Sequence, residues 1–70
     1  MKCVLDGKAT GIIQVTNEST LYEARLLIMD ELNDIPTTFK FTKYGIPFTS
    51  KQERNYKCVD VGEILELSVK

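Results

Sequence analysis

The sequence has 70 residues, of which nine are basic, ten are acidic and none is histidine, giving a formal net charge of −1 at pH 7. A chain of this length has room for a single domain, residues 1–70, with one small core, so we expect neither a deep active-site cleft nor a small-molecule substrate. Nucleic acids and anionic membranes bind concentrated basic surfaces, whereas the charges here are interleaved in sign, so neither is expected as a partner. Without histidine, the most common metal ligand and general base, the chain is predicted to be neither an enzyme nor a cofactor carrier.

The two cysteines, Cys3 and Cys58, lie within apolar patterns. Two cysteines cannot supply a disulfide framework, so both are predicted to be reduced and buried. The sequence shows neither a secretory signal pattern nor a run of about twenty apolar residues. We therefore expect a cytoplasmic location.

Apolar residues alternate along two predicted strands, with Met1, Cys3 and Leu5 in the first and Ile13 and Val15 in the second, residues 11–16. A two-residue turn at Asp6 and Gly7 would turn these two apolar sets to opposite faces of the hairpin. We therefore predict a longer reversal of three or five residues between Asp6 and Thr10. Gly7 and Gly11 are expected to supply left-handed backbone conformations there.

Residues 20–33 are predicted to form a long helix. Thr20 followed three residues later by Glu23 is a capping box, which marks the start. At about 100° per residue, the stripe that faces the core comprises Leu21, Ala24, Ile28 and Leu32. A second apolar stripe projects from nearly the opposite side and comprises Tyr22, Leu26 and Met29.

This outer stripe is the leading candidate for contact with a protein partner or with another copy of the chain. Burying three such side chains would contribute on the order of 4 to 8 kcal/mol before the costs of association. The alternative is that all three are ordinary surface hydrophobes.

After the helix, Ile35-Pro36 is a stop signal, because the residue before a proline disfavours the helical conformation. Phe39 and Phe41 indicate a third strand, and Pro47 places the next short strand at an edge of the sheet. Residues 49–55 are predicted to be a polar loop, and residues 56–61 a short turn or 3₁₀ segment. Residues 64–69 are predicted to be the last strand, with inward side chains at Leu65, Leu67 and Val69.

Several residues together carry a family resemblance: the Met1-x-Cys3-x-Leu5 and Ile13-x-Val15 strands, Thr20-Leu21, Ile35-Pro36, Phe41 with Gly45 and Phe48, Asp60-Val61 and Leu65-x-Leu67. In this order they resemble the ubiquitin-like β-grasp superfamily over essentially the whole chain. The resemblance implies an α+β fold of ββαβββ order, in which a mixed four- to five-stranded sheet packs on one helix.

The resemblance also implies several possible functions. Ubiquitin-like modifiers and sulfur carriers end in a diglycine tail, whereas this chain ends in Ser68-Val69-Lys70. A modifier role therefore requires a tail that is missing from this chain. Ferredoxin-type relatives hold an iron–sulfur cluster with four cysteines, which two cannot do.

Two further family surfaces map onto this sequence. Ubiquitin is recognised through an apolar patch on its outer sheet face; the position of the central isoleucine matches Thr42, and Val4 and Ile12 restore some apolar area. Ras-binding relatives use basic residues near the second strand and the helix start. Only Lys8 and Arg25 match those positions, and small-GTPase binding stays an alternative.

Other chemically suggestive residues have plainer interpretations. The carboxylates of Asp30, Glu31 and Asp34 are interpreted as solubilising charges, residues 51–57 as a solvated basic segment, and Cys58 as a core residue and not a nucleophile. We therefore predict a non-catalytic, ubiquitin-like interaction module of a larger intracellular protein, docking through the outer helix stripe or the outer sheet face.

Overall fold

Five strands and three helices are found within residues 1–69, the part of the chain that the computed structural model describes. In chain order they are β1 (Lys2–Leu5), β2 (Lys8–Ile12), α1 (Leu21–Glu31), β3 (Lys40–Lys43), β4 (Ile46–Pro47), α2 (Ser50–Asn55), α3 (Cys58–Val61) and β5 (Ile64–Ser68). The strands form a sheet of order β2-β1-β5-β3-β4, in which β1 and β5 are parallel and the other neighbours antiparallel. The predicted α+β class with a mixed sheet is confirmed.

The β1–β2 hairpin closes with a two-residue turn, so the predicted three- or five-residue reversal is wrong. Leu5 pairs with Lys8, and the residues between them, Asp6 and Gly7, have φ angles of 48° and 87°. Two successive left-handed residues are typical of a type I′ turn, whose twist matches that of the flanking strands. Asp-Gly is a favoured pair for this turn because both residues tolerate positive φ.

A bulge in β2, and not a longer loop, brings the apolar residues of the two strands to the same face of the hairpin. The pairing register shifts between Cys3 and Val4, which leaves Thr10 as an extra residue in β2. The Thr10 hydroxyl donates a hydrogen bond to the Cys3 carbonyl oxygen at 3.1 Å. Beyond the bulge the parity is reversed, so Ile13 is buried as predicted although the strand runs over Lys8–Ile12 and not over residues 11–16.

Gly11 is needed for close packing and not for a left-handed turn, contrary to prediction. It has no positive φ, and a Cβ atom at this position would lie 2.6 Å from Cδ2 of Leu32. A methyl group would therefore collide with the side chain that follows the end of α1.

The long helix begins where the sequence indicated. Thr20 Oγ1 accepts from the Glu23 N–H at 3.2 Å, and the Glu23 carboxylate accepts from the Thr20 N–H at 3.0 Å. These two bonds satisfy backbone donors that have no partner within the helix. Helix α1 ends at Glu31 with Leu32 as its C-cap, slightly earlier than predicted, and its buried side chains are Leu21, Ala24 and Ile28.

Two predictions for the second half of the chain are wrong. The segment expected to be a polar loop forms helix α2, whose start is a second capping box between Thr49 and Gln52. Val69 follows the end of β5 and is exposed, whereas it was expected to face inward. The segment predicted as a turn or 3₁₀ segment contains the four-residue helix α3, and β4 lies at the sheet edge as predicted.

One face of the sheet and the inner side of α1 bury a shared apolar cluster. Its members are Cys3, Ile13, Leu21, Ala24, Ile28, Ile35, Phe39, Phe41, Cys58, Leu65 and Leu67. The rings of Phe39 and Phe41 meet edge to face, with centroids 5.4 Å apart. The outer side of α1 takes no part in this core and is available for contacts elsewhere.

Candidate functional site

The helix stripe, defined as Tyr22, Leu26 and Met29, lies on the solvent side of α1. The exposed fractions of these residues are 37%, 48% and 43%. Their spacing of four and then three residues makes them neighbours along one line of the helix surface. The structure thus brings together the three residues that the sequence singled out, and their binding role stays a prediction.

Helix α2 borders the start of the helix stripe. The Arg54 guanidinium carbon lies 4.8 Å from the centroid of the Tyr22 ring, a distance at which a cation is attracted to the ring face. Tyr22 is therefore partly covered from one side, and Leu26 and Met29 are the more open members of the stripe.

A buried ion pair joins α1 to α2. Arg25 Nε and Nη2 donate to the two carboxylate oxygens of Glu53, each at 2.8 Å. The Arg25 guanidinium also lies over the Phe39 ring, 4.3 Å from its centroid. The two side chains are 18% and 7% exposed, so this bidentate contact lies mostly out of water, where charge-assisted hydrogen bonds are strong.

This ion pair lies at a cleft of about 310 Å³ that opens beside the helix stripe. The lining residues come from α1, the start of β3 and α2: Tyr22, Arg25, Thr38, Phe39, Lys40, Phe48, Thr49, Ser50, Glu53 and Arg54. Because Arg25 and Glu53 neutralise each other, Lys40 and Arg54 give the cleft an excess of positive charge. Sequence reasoning missed this cleft, since its three sources are far apart in the chain.

Charged side chains interrupt the apolar residues of the outer sheet face. Val4 and Thr42 are half-buried, and both pair with Glu66 of the intervening strand β5, so a carboxylate separates them. Ile12 lies in the neighbouring row, where Lys2 stands between it and Ile64. The structure therefore places Val4, Ile12 and Thr42 on one face without joining them into a continuous apolar patch.

Two exposed apolar residues near the sheet edge were not among the predicted site residues. Tyr44 is 89% exposed and has a left-handed φ of 53°, and Ile46 is exposed on edge strand β4. The signal available in the sequence was a large aromatic residue directly before Gly45, in a turn where small polar residues are more usual.

Both cysteine thiols are free and buried, as predicted. Burial raises the pKa of the Cys3 and Cys58 thiols above the ordinary value, and the nearby Glu23 carboxylate adds to this increase for Cys58. The Cys58 thiol donates to the Thr20 carbonyl oxygen at 3.4 Å. Protonated, enclosed thiols are poor nucleophiles, in agreement with a packing role.

No group of three or more cysteine, histidine or acidic residues within residues 1–69 is arranged to hold a metal ion. No helix in the same range combines the length and apolar content needed to cross a membrane.

The two basic residues named for the small-GTPase alternative differ in their surroundings. Of the two basic residues that match the positions used by Ras-binding relatives, Arg25 is already engaged by Glu53 in both of its strong hydrogen bonds. Lys8 follows the hairpin turn and is exposed. Of these two, Lys8 is the one without an ion pair among residues 1–69, and small-GTPase binding stays a prediction.

Comparison of the chain with protein-family models, with curated proteins and with solved structures gives no match.

Proposed function

We propose that this chain is a non-catalytic, ubiquitin-like β-grasp interaction module of an intracellular protein, and that it docks onto protein partners through the helix stripe. The fold assignment is supported by the order β2-β1-β5-β3-β4, with the first and last strands parallel at the centre of the sheet. It is also supported by the packing of one long helix against the face of that sheet.

The observation that carries the docking proposal is the exposure of three large apolar side chains in one line on α1. None of the three belongs to the buried core cluster, to which α1 contributes Leu21, Ala24 and Ile28. Leu26 and Met29 keep nearly half of their surface in water. Each of their methylene groups that a partner buries would stabilise the complex by about 0.8 kcal/mol.

The outer sheet face is the second candidate surface for the same function. Ile12 and Ile64 are exposed there, which favours an apolar contact. Lys2 and Glu66 interrupt the face, so a partner would have to satisfy or displace charges as well as bury carbon.

Leu26→Asp provides the test, with Val59→Asp as a matched control because Val59 has a similar exposed fraction of 49%. Each variant would be immobilised, incubated with a cell lysate and analysed by mass spectrometry for captured proteins. Leu26→Asp is expected to reduce capture at least tenfold, while Val59→Asp leaves it unchanged. Circular dichroism melting curves would show that both variants remain folded.

Equal capture by both variants would overturn docking through the helix stripe. A third variant, Ile12→Asp, reports on the outer sheet face, and loss of capture in that variant alone would move the site there. Finding a Gly-Gly pair just beyond Lys70 in a longer gene product would instead favour the modifier role.

A further inference from the structure

Opposite charges border the two ends of the helix stripe. At the start of α1, Lys40 and Arg54 line the 310 Å³ cleft together with Tyr22. The ion pairs formed among residues 1–69 are Arg25–Glu53 and Lys57–Glu18, so neither Lys40 nor Arg54 has an acidic partner in that range. The cationic cleft, meaning the cleft lined by these residues, therefore has a net positive charge, since Arg25, Lys40 and Arg54 outnumber Glu53.

The other end of α1 is acidic. Asp30, Glu31 and Asp34 are exposed, and the last turn of α1 contains no basic residue. Carboxylates at this position face the negative end of the helix dipole, which is unfavourable without a nearby cation. A second cleft of about 510 Å³ lies here, lined by Glu31 and Asp34 and, beside them, by uncharged residues alone.

The two charged regions cannot neutralise each other within one chain. Asp30 is eight positions after Tyr22, which corresponds to about 12 Å along a helix. Leu26 and Met29 lie between them on the same helix. Glu23, the acidic residue in the first turn of α1, is held by the Thr20 N–H and hydroxyl, from which its Oε1 accepts. Beyond this capped carboxylate the surface runs from the cationic cleft through Leu26 and Met29 to the acidic helix end, which suits contact with another molecule bearing the same features.

We propose that the helix stripe is a self-association surface, in which the cationic cleft of one copy receives the acidic helix end, Asp30 to Asp34, of a second copy. Leu26 and Met29 are buried in the same contact. This inference rests on the proposed function, since it names the partner of the helix stripe. A second copy is the favoured occupant because both complementary charges are present on this chain and a net charge of −1 gives little long-range repulsion between copies.

Charge reversal tests the pairing. Arg54→Glu and Asp30→Lys each place like charges in the contact, so each is expected to weaken self-association at least tenfold in sedimentation velocity between 10 µM and 1 mM protein. In an equimolar mixture of the two variants, or in the double variant, opposite charges face each other again. Self-association is expected to be restored in both cases. Raising the NaCl concentration from 50 to 500 mM should weaken wild-type association, because exposed charges are screened.

Lys2→Glu and Glu63→Lys are the controls, since they make the same changes in charge away from α1 and the cationic cleft. A wild-type chain that is monomeric at 1 mM, equal effects of the control variants, or a mixture that fails to restore association would each overturn the inference. Melting curves confirm folding, and Lys40→Glu provides a second variant if Arg54→Glu is unfolded.

The proposed function can survive failure of this inference. A monomeric chain whose capture of other proteins still depends on Leu26 would reject self-association and retain the docking module. If Leu26→Asp changes neither capture nor sedimentation, both proposals fail.

Discussion

Replacing Glu53 by alanine is expected to lower the free energy of unfolding by about 3 kcal/mol. In the wild-type chain, Arg25 donates to both carboxylate oxygens of Glu53 at 2.8 Å, and its guanidinium lies over the Phe39 ring. Without the carboxylate, a largely buried cation has no partner, which typically costs 3–5 kcal/mol; the 18% exposure of Arg25 favours the lower end. A loss of 1 kcal/mol shifts the Tm of a domain this small by about 4–8 °C, so a decrease of roughly 12–24 °C is expected.

The exposed ion pair in the same chain is the control. Lys57 and Glu18 are 3.0 Å apart, but the Glu18 side chain is 83% exposed. Glu18→Ala is therefore expected to cost less than about 1 kcal/mol. Urea unfolding followed by circular dichroism measures both free energies by linear extrapolation.

A double-mutant cycle then separates the pair from its surroundings. Arg25→Met together with Glu53→Met removes both charges, so the double variant should be more stable than the sum of the single changes indicates, by about 1.5 kcal/mol or more. The reasoning is refuted if Glu53→Ala costs no more than Glu18→Ala, or if the cycle shows no coupling.

Three further predictions concern packing, capping and titration. Gly11→Ala should cost about 1 kcal/mol because its methyl group meets Leu32, and the cost should shrink in a Leu32→Ala background; equal costs in both backgrounds by urea unfolding would contradict the contact. Thr20→Ala should cost about 1 kcal/mol by removing the cap of α1, and a thermal melt identical to the wild type would speak against it. Because burial raises the pKa of the Cys3 and Cys58 thiols, the folded chain keeps these protons to higher pH than the unfolded chain, so the free energy of unfolding should decrease as pH rises above about 8.5. Urea titrations at pH 7 and 9.5 measure this decrease, which should be smaller when both cysteines are replaced by alanine.

In the hairpin, the sequence predicted which residues face the core but not the bulge that places them there. The alternation correctly required Ile13 to face the same side as Cys3. Parity can be restored either by lengthening the turn or by inserting one residue into a strand, and the chain does the second at Thr10. A bulge adds no distinctive residue, so the pattern alone could not decide between them.

Helix α2 was missed for a different reason. Its capping box at Thr49 and Gln52 is the same signal that marked α1, but the six residues of α2 carry no apolar stripe. The inward side chain is Glu53, whose burial depends on Arg25, 28 residues earlier in the chain. A pair this distant leaves no local periodicity.

Of the candidate surface, one part could be predicted from the sequence and one part could not. The helix stripe could be predicted because an exposed face is the complement of a buried face on the same helix. The cationic cleft could not, because Tyr22, Lys40 and Arg54 reach it from three separate elements. The local sequence pattern determines which side of a helix or strand faces solvent. Tertiary packing determines which residues of other elements lie next to that side.

The parallel pairing of β1 with β5 has a mechanical consequence. Cys3 lies opposite Leu65, and the two strands run in the same direction. The N-terminal end of β1 and the C-terminal end of β5 are therefore at opposite ends of this pair of strands. Tension applied between these two ends slides one strand along the other and strains the whole set of interstrand bonds at once. A domain pulled from these two ends would resist stretching far better than one in which the interstrand hydrogen bonds can break one after another.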